Sequence, residues 1–201
     1  MSRIIVFGAG GRAGRTAVRE ARSRGHEVTA VVRDPAKYPD LGAVAGDVLD
    51  TESVATLSAG HDAAISSVYD FAVEPAEFFT RAARNLVENL AADRFLVVGL
   101  ASVLATASGA LLMDQPGYPR EHRSFSLGHA AGMDVLRAAD RDWLVVSPSG
   151  DFDHEGGRTG HYRVAPADAS SRISYADHAI ALVDEIETPK HHRTHIGVEQ
   201  G

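Results

Sequence analysis

The chain has 201 residues, 44% hydrophobic and 23% charged, which suits one well-buried core and is short for two full domains. A formal net charge of −7 argues against a mainly electrostatic nucleic-acid binder. With no cysteine, disulfides, thiolate catalysis and cysteine-ligated zinc are excluded. The opening apolar run, Ile4 to Phe7, is too short for a signal-peptide core or a membrane span, so a cytoplasmic protein is expected.

Arg3 to Phe7 reads as a short buried strand closed by glycine. Arg12 to Arg24 reads as a helix, with Ala13, Ala17 and Ala21 on one face and Gly25 in the C′ position. Val28 to Val32 is a second strand, ending at "RDP". Asp62 to Ser67 is a strand candidate, Pro75 to Ala92 a helix, and Arg94 to Gly99 another strand. Leu127 to Ala139 reads as a helix with Leu127, Ala131 and Val135 on one side, followed by the strand Trp143 to Pro148. Ser174 opens a last helix, with Asp177 as a weak capping partner and Ala179, Ile180, Val183 and Ile186 facing inward; Pro189 ends it. Apolar strands without in/out alternation belong in a parallel sheet covered by helices on both faces. The fold expected is therefore α/β, a single Rossmann-type doubly wound domain over residues 1–201. The irregular stretches 100–126 and 150–172 follow strands, so both are expected as loops at the carboxyl edge, shaping the substrate cleft.

The turn after the first strand, "GAGGRAG", carries Gly8, Gly11 and Gly14 at GxxGxxG spacing, while Gly8, Gly10 and Ala13 also satisfy GxGxxA. A dinucleotide turn needs such residues: the first glycine for a sharp exit, the middle one so that backbone N–H groups approach a pyrophosphate, the last for close helix packing. The helix N-terminus adds a favourable potential for the anion. At the end of the second strand, Arg33 precedes Asp34. Two guanidiniums, Arg12 and Arg33, favour a 2′-phosphate, so NADP(H) is expected over NAD(H); the alternative is that Asp34, in the place of the usual ribose-binding acid, holds NAD(H).

The chain resembles the NADH-flavin reductase-like proteins, atypical short-chain dehydrogenases of the NAD(P)H-binding type, related to the biliverdin-IXβ/flavin reductases and more distantly to NmrA-like proteins. The resemblance spans nearly the whole chain and rests on "GAGGRAG", "GHEVTAVVRDPAK", "GDVLDTESV", "GHDAAISS", "RFLVVG", "DWLVVSP", "GGRTGHYR" and "SRISYADHAIALVDEIETPKHH". It implies that Gly8, Gly11, Arg12 and Ala13 hold the pyrophosphate and Arg33 meets the 2′-phosphate. It further implies that Asp47 and Val48 flank the adenine, that Ser66 and Ser67 line the path to the nicotinamide ribose, and that Ser147 and Pro148 sit near the nicotinamide. The family often has GATG where this chain has "GAGG", "VGGAG" where it has "VGLAS", and an apolar pair where Ser149 and Gly150 follow "SP". The last two departures fall in the substrate region.

Short-chain dehydrogenases that reduce carbonyls use a Tyr-x-x-x-Lys pair. Neither lysine here, Lys37 or Lys190, stands in that relation to a tyrosine, and Tyr118 with His122 spans a proline in a loop. Hydride transfer to an electron-poor planar acceptor asks less of the protein, mainly proximity and a face-to-face pose. Ser102 and His129 are the catalytic candidates: Ser102 to hydrogen-bond the acceptor or the nicotinamide amide, His129 to orient or protonate. The acidic and histidine residues of "DFDHEGGRTGHYR" read as a flap rather than a metal site, and "HHRTH", His191 to His195, as a solvated terminal segment. The function expected is NAD(P)H-dependent hydride transfer to a flavin, quinone or similar planar acceptor; the alternative is a non-catalytic NADP(H) sensor of the NmrA-like kind. A small-molecule partner is expected, with no nucleic acid and no membrane.

Overall fold

The computed structural model describes residues 1–201. In chain order the elements are β1 (Arg3–Phe7), α1 (Arg12–Ser23), β2 (Glu27–Val32), β3 (Val44–Ala45), α2 (Thr51–Ser58), β4 (Ala63–Ser66), α3 (Pro75–Asn89) and β5 (Arg94–Val98). There follow α4 (Arg123–Ala138), β6 (Asp142–Pro148), β7 (Asp151–Asp153), β8 (Tyr162–Val164), β9 (Arg172–Ser174), α5 (Tyr175–Glu187) and β10 (Thr194–Gln200). Eight strands form one sheet in the order β3-β2-β1-β4-β5-β6-β10-β8, parallel throughout except for β8, which pairs antiparallel with β10. β7 and β9 make a separate parallel pair. The order reverses between β1 and β4, so the turn leaving β1 and the end of β4 flank the switch point, where ligands bind in such sheets.

Side chains of successive strand residues supply two cores. Ile4, Val6, Ala30 and Val146 face α1 and α5; Ile5, Phe7, Val31 and Val145 face α2, α3 and α4. The doubly wound α/β expectation therefore holds, as one domain. No helix is long and apolar enough to cross a membrane.

Three helix starts are capped by side chains: Asp50 accepts from the Ser53 amide at 2.9 Å, Glu74 from the Glu77 amide at 3.0 Å, and Ser174 from the Asp177 amide at 3.0 Å. Asp177 also accepts the amides of Thr159 and Gly160, at 3.0 and 2.9 Å, and so ties the stretch before β8 to α5. α1 begins at Gly11 with no capping side chain.

Three sequence expectations need correction. The stretch containing "HHRTH" is not a solvated tail, because Thr194 onward forms β10, a strand paired on both sides. α4 begins at Arg123 rather than Leu127, and its buried face is not Leu127, Ala131 and Val135. It packs instead through Gly128 and Gly132, where added Cβ atoms would lie 2.5 Å from Pro75 Cβ and 3.1 Å from Phe79 Cβ. Leu127 is exposed. The helix pair approaches so closely that glycine, not a bulky apolar residue, marks the contact.

Candidate functional site

Gly8 leaves β1 with φ +77°, and a Cβ there would lie 2.0 Å from the Ser67 carbonyl oxygen, so the β1 turn presses against the end of β4. A Cβ on Gly14 would lie 2.2 Å from the Gly8 carbonyl oxygen, which fixes the close helix–turn approach expected of the last glycine. Gly10 behaves differently: the space its Cβ would fill is taken by the Tyr38 ring, 2.4 Å away. Gly11 is the open one, with only the Gly8 oxygen nearby, at 3.5 Å. The amides of Gly8 and Ala9 donate to Val31, and that of Gly11 to Gly8, whereas those of Arg12, Ala13 and Gly14 have no acceptor in the chain. Three free N–H groups at an uncapped helix start make a cradle for an anion. A dinucleotide diphosphate fits it.

A cavity of about 590 Å³ runs from this turn along the carboxyl ends of β1, β2, β4 and β5, within the range of small-molecule sites. Gly8, Gly10, Gly11, Arg33, Asp47, Val48 and Ser67 line it. At its β2 end, Asp34 turns its carboxylate onto its own chain, accepting the Ala36 amide at 3.2 Å and facing Lys37 Nζ at 3.5 Å. Arg33, in the cavity lining, pairs with Asp70, from the segment after β4. The Ala72 amide and then Arg33 hold the Asp70 carboxyl below the usual range. Asp47 accepts the Leu49 amide at 2.9 Å beside Val48. Lys37, four residues past Arg33, also lines the cavity, a cation that the sequence reading passed over.

The other end of the cavity is aromatic. Tyr69 and Phe79 stack with centroids 5.5 Å apart and planes 5° from parallel; Phe125 meets both edgewise, at 4.8 and 5.6 Å. His129 lies against this wall, its ring centroid 3.8 Å from that of Phe79. Its side chain makes no hydrogen bond within the chain. Burial first, and then the nearby His195, push its pKa down to about 3. Being neutral, it can orient a ligand but does not serve as an imidazolium donor near neutral pH. An NMR titration should therefore find the His129 ring resonances constant between pH 5 and 8; a step near the ordinary histidine value would contradict this.

The remaining candidates fall elsewhere. Ser102 is buried in a short turn after β5, its hydroxyl has no partner, and it does not line the cavity. Ser147 and Pro148 lie inside the sheet, away from the cavity lining; Ser147 Oγ is 2.7 Å from His195 Nε2. Burial brings the His195 pKa down to about 4 against a backbone hydrogen bond to Val103, so the pair is a neutral internal contact. Ser66 lines a smaller pit rather than the main cavity. Arg12 turns away from Arg33 and contacts His154, in the loop after β7. Residues 150–172, expected as a flap over the cleft, contribute nothing to the cavity lining; they lie against α1 and α5, with Arg158 paired to Glu20 at 3.1 Å and Phe152 stacked on Tyr175 at 4.1 Å. Sequence reasoning missed the aromatic wall. Tyr69 and Phe125 come from separate segments with no shared period, and Phe79 read as an ordinary core position.

A family model described as NAD(P)H-binding matches residues 8–189. The uncharacterized protein YwnB of Bacillus subtilis (strain 168) is 34% identical, with 94% of each chain covered. A solved structure from Streptococcus pneumoniae TIGR4, which carries the name "putative NADH-flavin reductase", is similar at 32% identity and TM-score 0.86, with both chains fully covered (100% each). An anaerobilin reductase of Escherichia coli O157:H7 superposes with TM-score 0.78 over 99% of this chain and 97% of its own, and at 16% identity that likeness speaks for the fold alone.

Proposed function

The chain belongs to the NAD(P)H-binding family, and from that premise we propose that it is an NADPH-dependent oxidoreductase passing hydride to a flavin, quinone or similar planar acceptor. One observation carries the coenzyme half of this reading: the free amides of Arg12, Ala13 and Gly14 begin α1 directly after Gly10 and Gly11, which line a cavity of about 590 Å³ at the switch point. In the proposal the diphosphate lies on these amides, with Gly11 leaving room for it. Arg33 and Lys37 take the 2′-phosphate, while Asp34, which also lines the cavity, keeps its carboxylate on the Ala36 amide and beside Lys37. Asp47 and Val48 flank the adenine, and Ser67 lies on the way to the nicotinamide.

The aromatic wall of Tyr69, Phe79 and Phe125, with neutral His129 at its edge, supports a flat apolar acceptor. When bound, the reduced coenzyme supplies the hydride, two electrons and one proton from its dihydropyridine ring, and water supplies the acceptor's second proton. The protein holds the acceptor face-on, keeps bulk water from that side and places a hydrogen-bonding imidazole at its rim. Ser102 has no part in this arrangement. The name borne by the 32%-identical streptococcal protein supports the same reaction class.

Mixing the protein with NADPH and either FMN or a quinone, and following the loss of reduced nicotinamide absorbance, tests the reaction. Turnover is expected; tight NADPH binding without turnover on any such acceptor would favour the sensor. Arg33→Ala should weaken NADPH binding by about 10- to 100-fold, the worth of a charge-assisted contact, and leave NADH nearly unchanged. Equal losses for both coenzymes would contradict the assignment of Arg33.

A further inference from the structure

Beneath the aromatic wall the cavity has a side pocket. Val68, Phe79, Val98, Gly99 and His129 line both the cavity and a pit of about 40 Å³ that runs between the sheet and helices α3 and α4. The inner lining of the pit is apolar, from Ala82, Ala83, Val103, Met133, Leu136 and Val145. Small side chains leave the space: two alanines stand on α3 where larger residues would fill it. Besides His129, only Ser66 brings a polar side chain to this lining, so the pit gives water few partners and favours an alkyl group. At its rim stands His129, neutral, without a hydrogen bond in the chain and therefore carrying one N–H free to donate.

Resting on the hydride-transfer reading above, we propose that the acceptor is a quinone with a small alkyl group on the ring carbon next to a carbonyl, the alkyl group entering the pit while His129 donates to the carbonyl oxygen. The two features lie at one edge of the cavity, so they select molecules that present an alkyl group and a carbonyl oxygen side by side. FMN does not: its methyl groups and its carbonyl oxygens lie at opposite ends of the ring system. A hydrogen bond at the carbonyl also favours reduction, because negative charge grows on that oxygen as the hydride arrives and before water delivers the second proton. The quinone is reduced to the hydroquinone and the coenzyme is oxidised.

The test compares two probes, 2-methyl-1,4-naphthoquinone and 1,4-naphthoquinone, which differ by one methyl group. With NADP+ present to prevent turnover, calorimetry should give about tenfold tighter binding of the methylated compound, the usual worth of one such group in an apolar pocket. With NADPH, kcat/KM should follow the same ratio. Ala83→Val, which fills the pit, should bring the ratio to about one; Val103→Leu fills it from the segment after β5 and serves if the first variant has lost its cooperative thermal unfolding. His129→Leu should weaken both quinones by a similar factor, about fivefold, and leave the ratio standing. Equal binding of the two probes by the parent protein, or a ratio that survives both filling variants, would overturn the pit assignment. So would turnover of FMN without binding of either quinone, which leaves the hydride-transfer reading intact. Absence of turnover with all three acceptors, and of binding by both quinones, would overturn both.

Discussion

The Gly11→Asp variant is expected to fold at least as stably as the parent chain and to lose its coenzyme. Gly11 is the N-cap of α1, with φ −72° and ψ 168°, an ordinary conformation for any residue. A Cβ there meets nothing closer than 3.5 Å, so an aspartate side chain has room. Asp is a preferred N-cap, and its carboxylate would accept from the same amides that the parent leaves free; the gain over glycine is a few tenths of a kcal/mol. The same carboxylate would then stand where the diphosphate belongs. Like charges brought together in this way cost several kcal/mol, so NADPH affinity should fall by about 100-fold or more. Thermal unfolding and a binding titration on one sample check both halves. Retained affinity would show that the diphosphate does not sit at this helix start. A destabilised variant would show that the amides are already engaged.

Arg94→Leu should do the reverse, damaging the fold and sparing the site. Arg94 opens β5 at the amino edge of the sheet, away from the cavity. Its guanidinium is 2.7 Å from Asp142 and 3.2 Å from Glu185, and also donates to the carbonyls of Glu185 and His191 at 3.1 and 2.9 Å. The side chain is 9% exposed and that of Glu185 5%. Removing one partner of a buried pair strands the other charge, which typically costs about 3–5 kcal/mol. At this chain length that corresponds to a fall in Tm of about 10 °C or more. NADPH affinity, measured below the new transition, should be unchanged. A loss under about 1 kcal/mol would mean that Glu185 is adequately served by His191 and the amides around it.

The same network sets an acid limit on stability. Burial raises the Glu185 carboxyl, but hydrogen bonds from His191 and from the backbone of Lys190 and His191 outweigh it and hold it below the usual range. Asp142 is likewise raised by burial and lowered further by Arg94 and His192. Folded-state values below the unfolded ones mean that the folded chain binds fewer protons. The stabilisation is therefore present above the ordinary carboxylate range and is lost as pH falls through the folded values.

The strands β1, β4, β5 and β6 were legible because a strand buried on both faces is a short unbroken apolar run closed by glycine, proline or a polar turn. β10 is just as central yet was not legible. Only its middle residues, Ile196 to Val198, are buried, and its entrance is written in histidine, arginine and threonine. Nothing in the pattern distinguishes a half-buried His195 held against Ser147 from one in water. For α4 the apolar periodicity pointed the wrong way, because two glycines let backbone approach backbone and left Leu127 to the solvent.

The site divides along similar lines. The glycine turn was legible since its conformational demands are local, although the reason for Gly10 turned out to be Tyr38, a contact across 28 positions of sequence that spacing does not encode. Arg33 could be placed from its position at the end of β2. The direction of Arg12 could not, as His154 in a distant loop decides it. Ser147 and Pro148 close the right strand, yet that strand's end is buried inside the sheet, and no one-dimensional pattern separates the last buried residue from the first one in a cleft.

Titration of the folded chain with NADPH by calorimetry, repeated with the Gly11→Asp variant, bears most directly on the anion cradle at the start of α1. Saturable binding of one NADPH per chain, abolished in a variant that unfolds no earlier than its parent, is the result predicted here. Absence of heat with both NADPH and NADH in a chain that melts cooperatively, or equal heat from parent and variant, would contradict it.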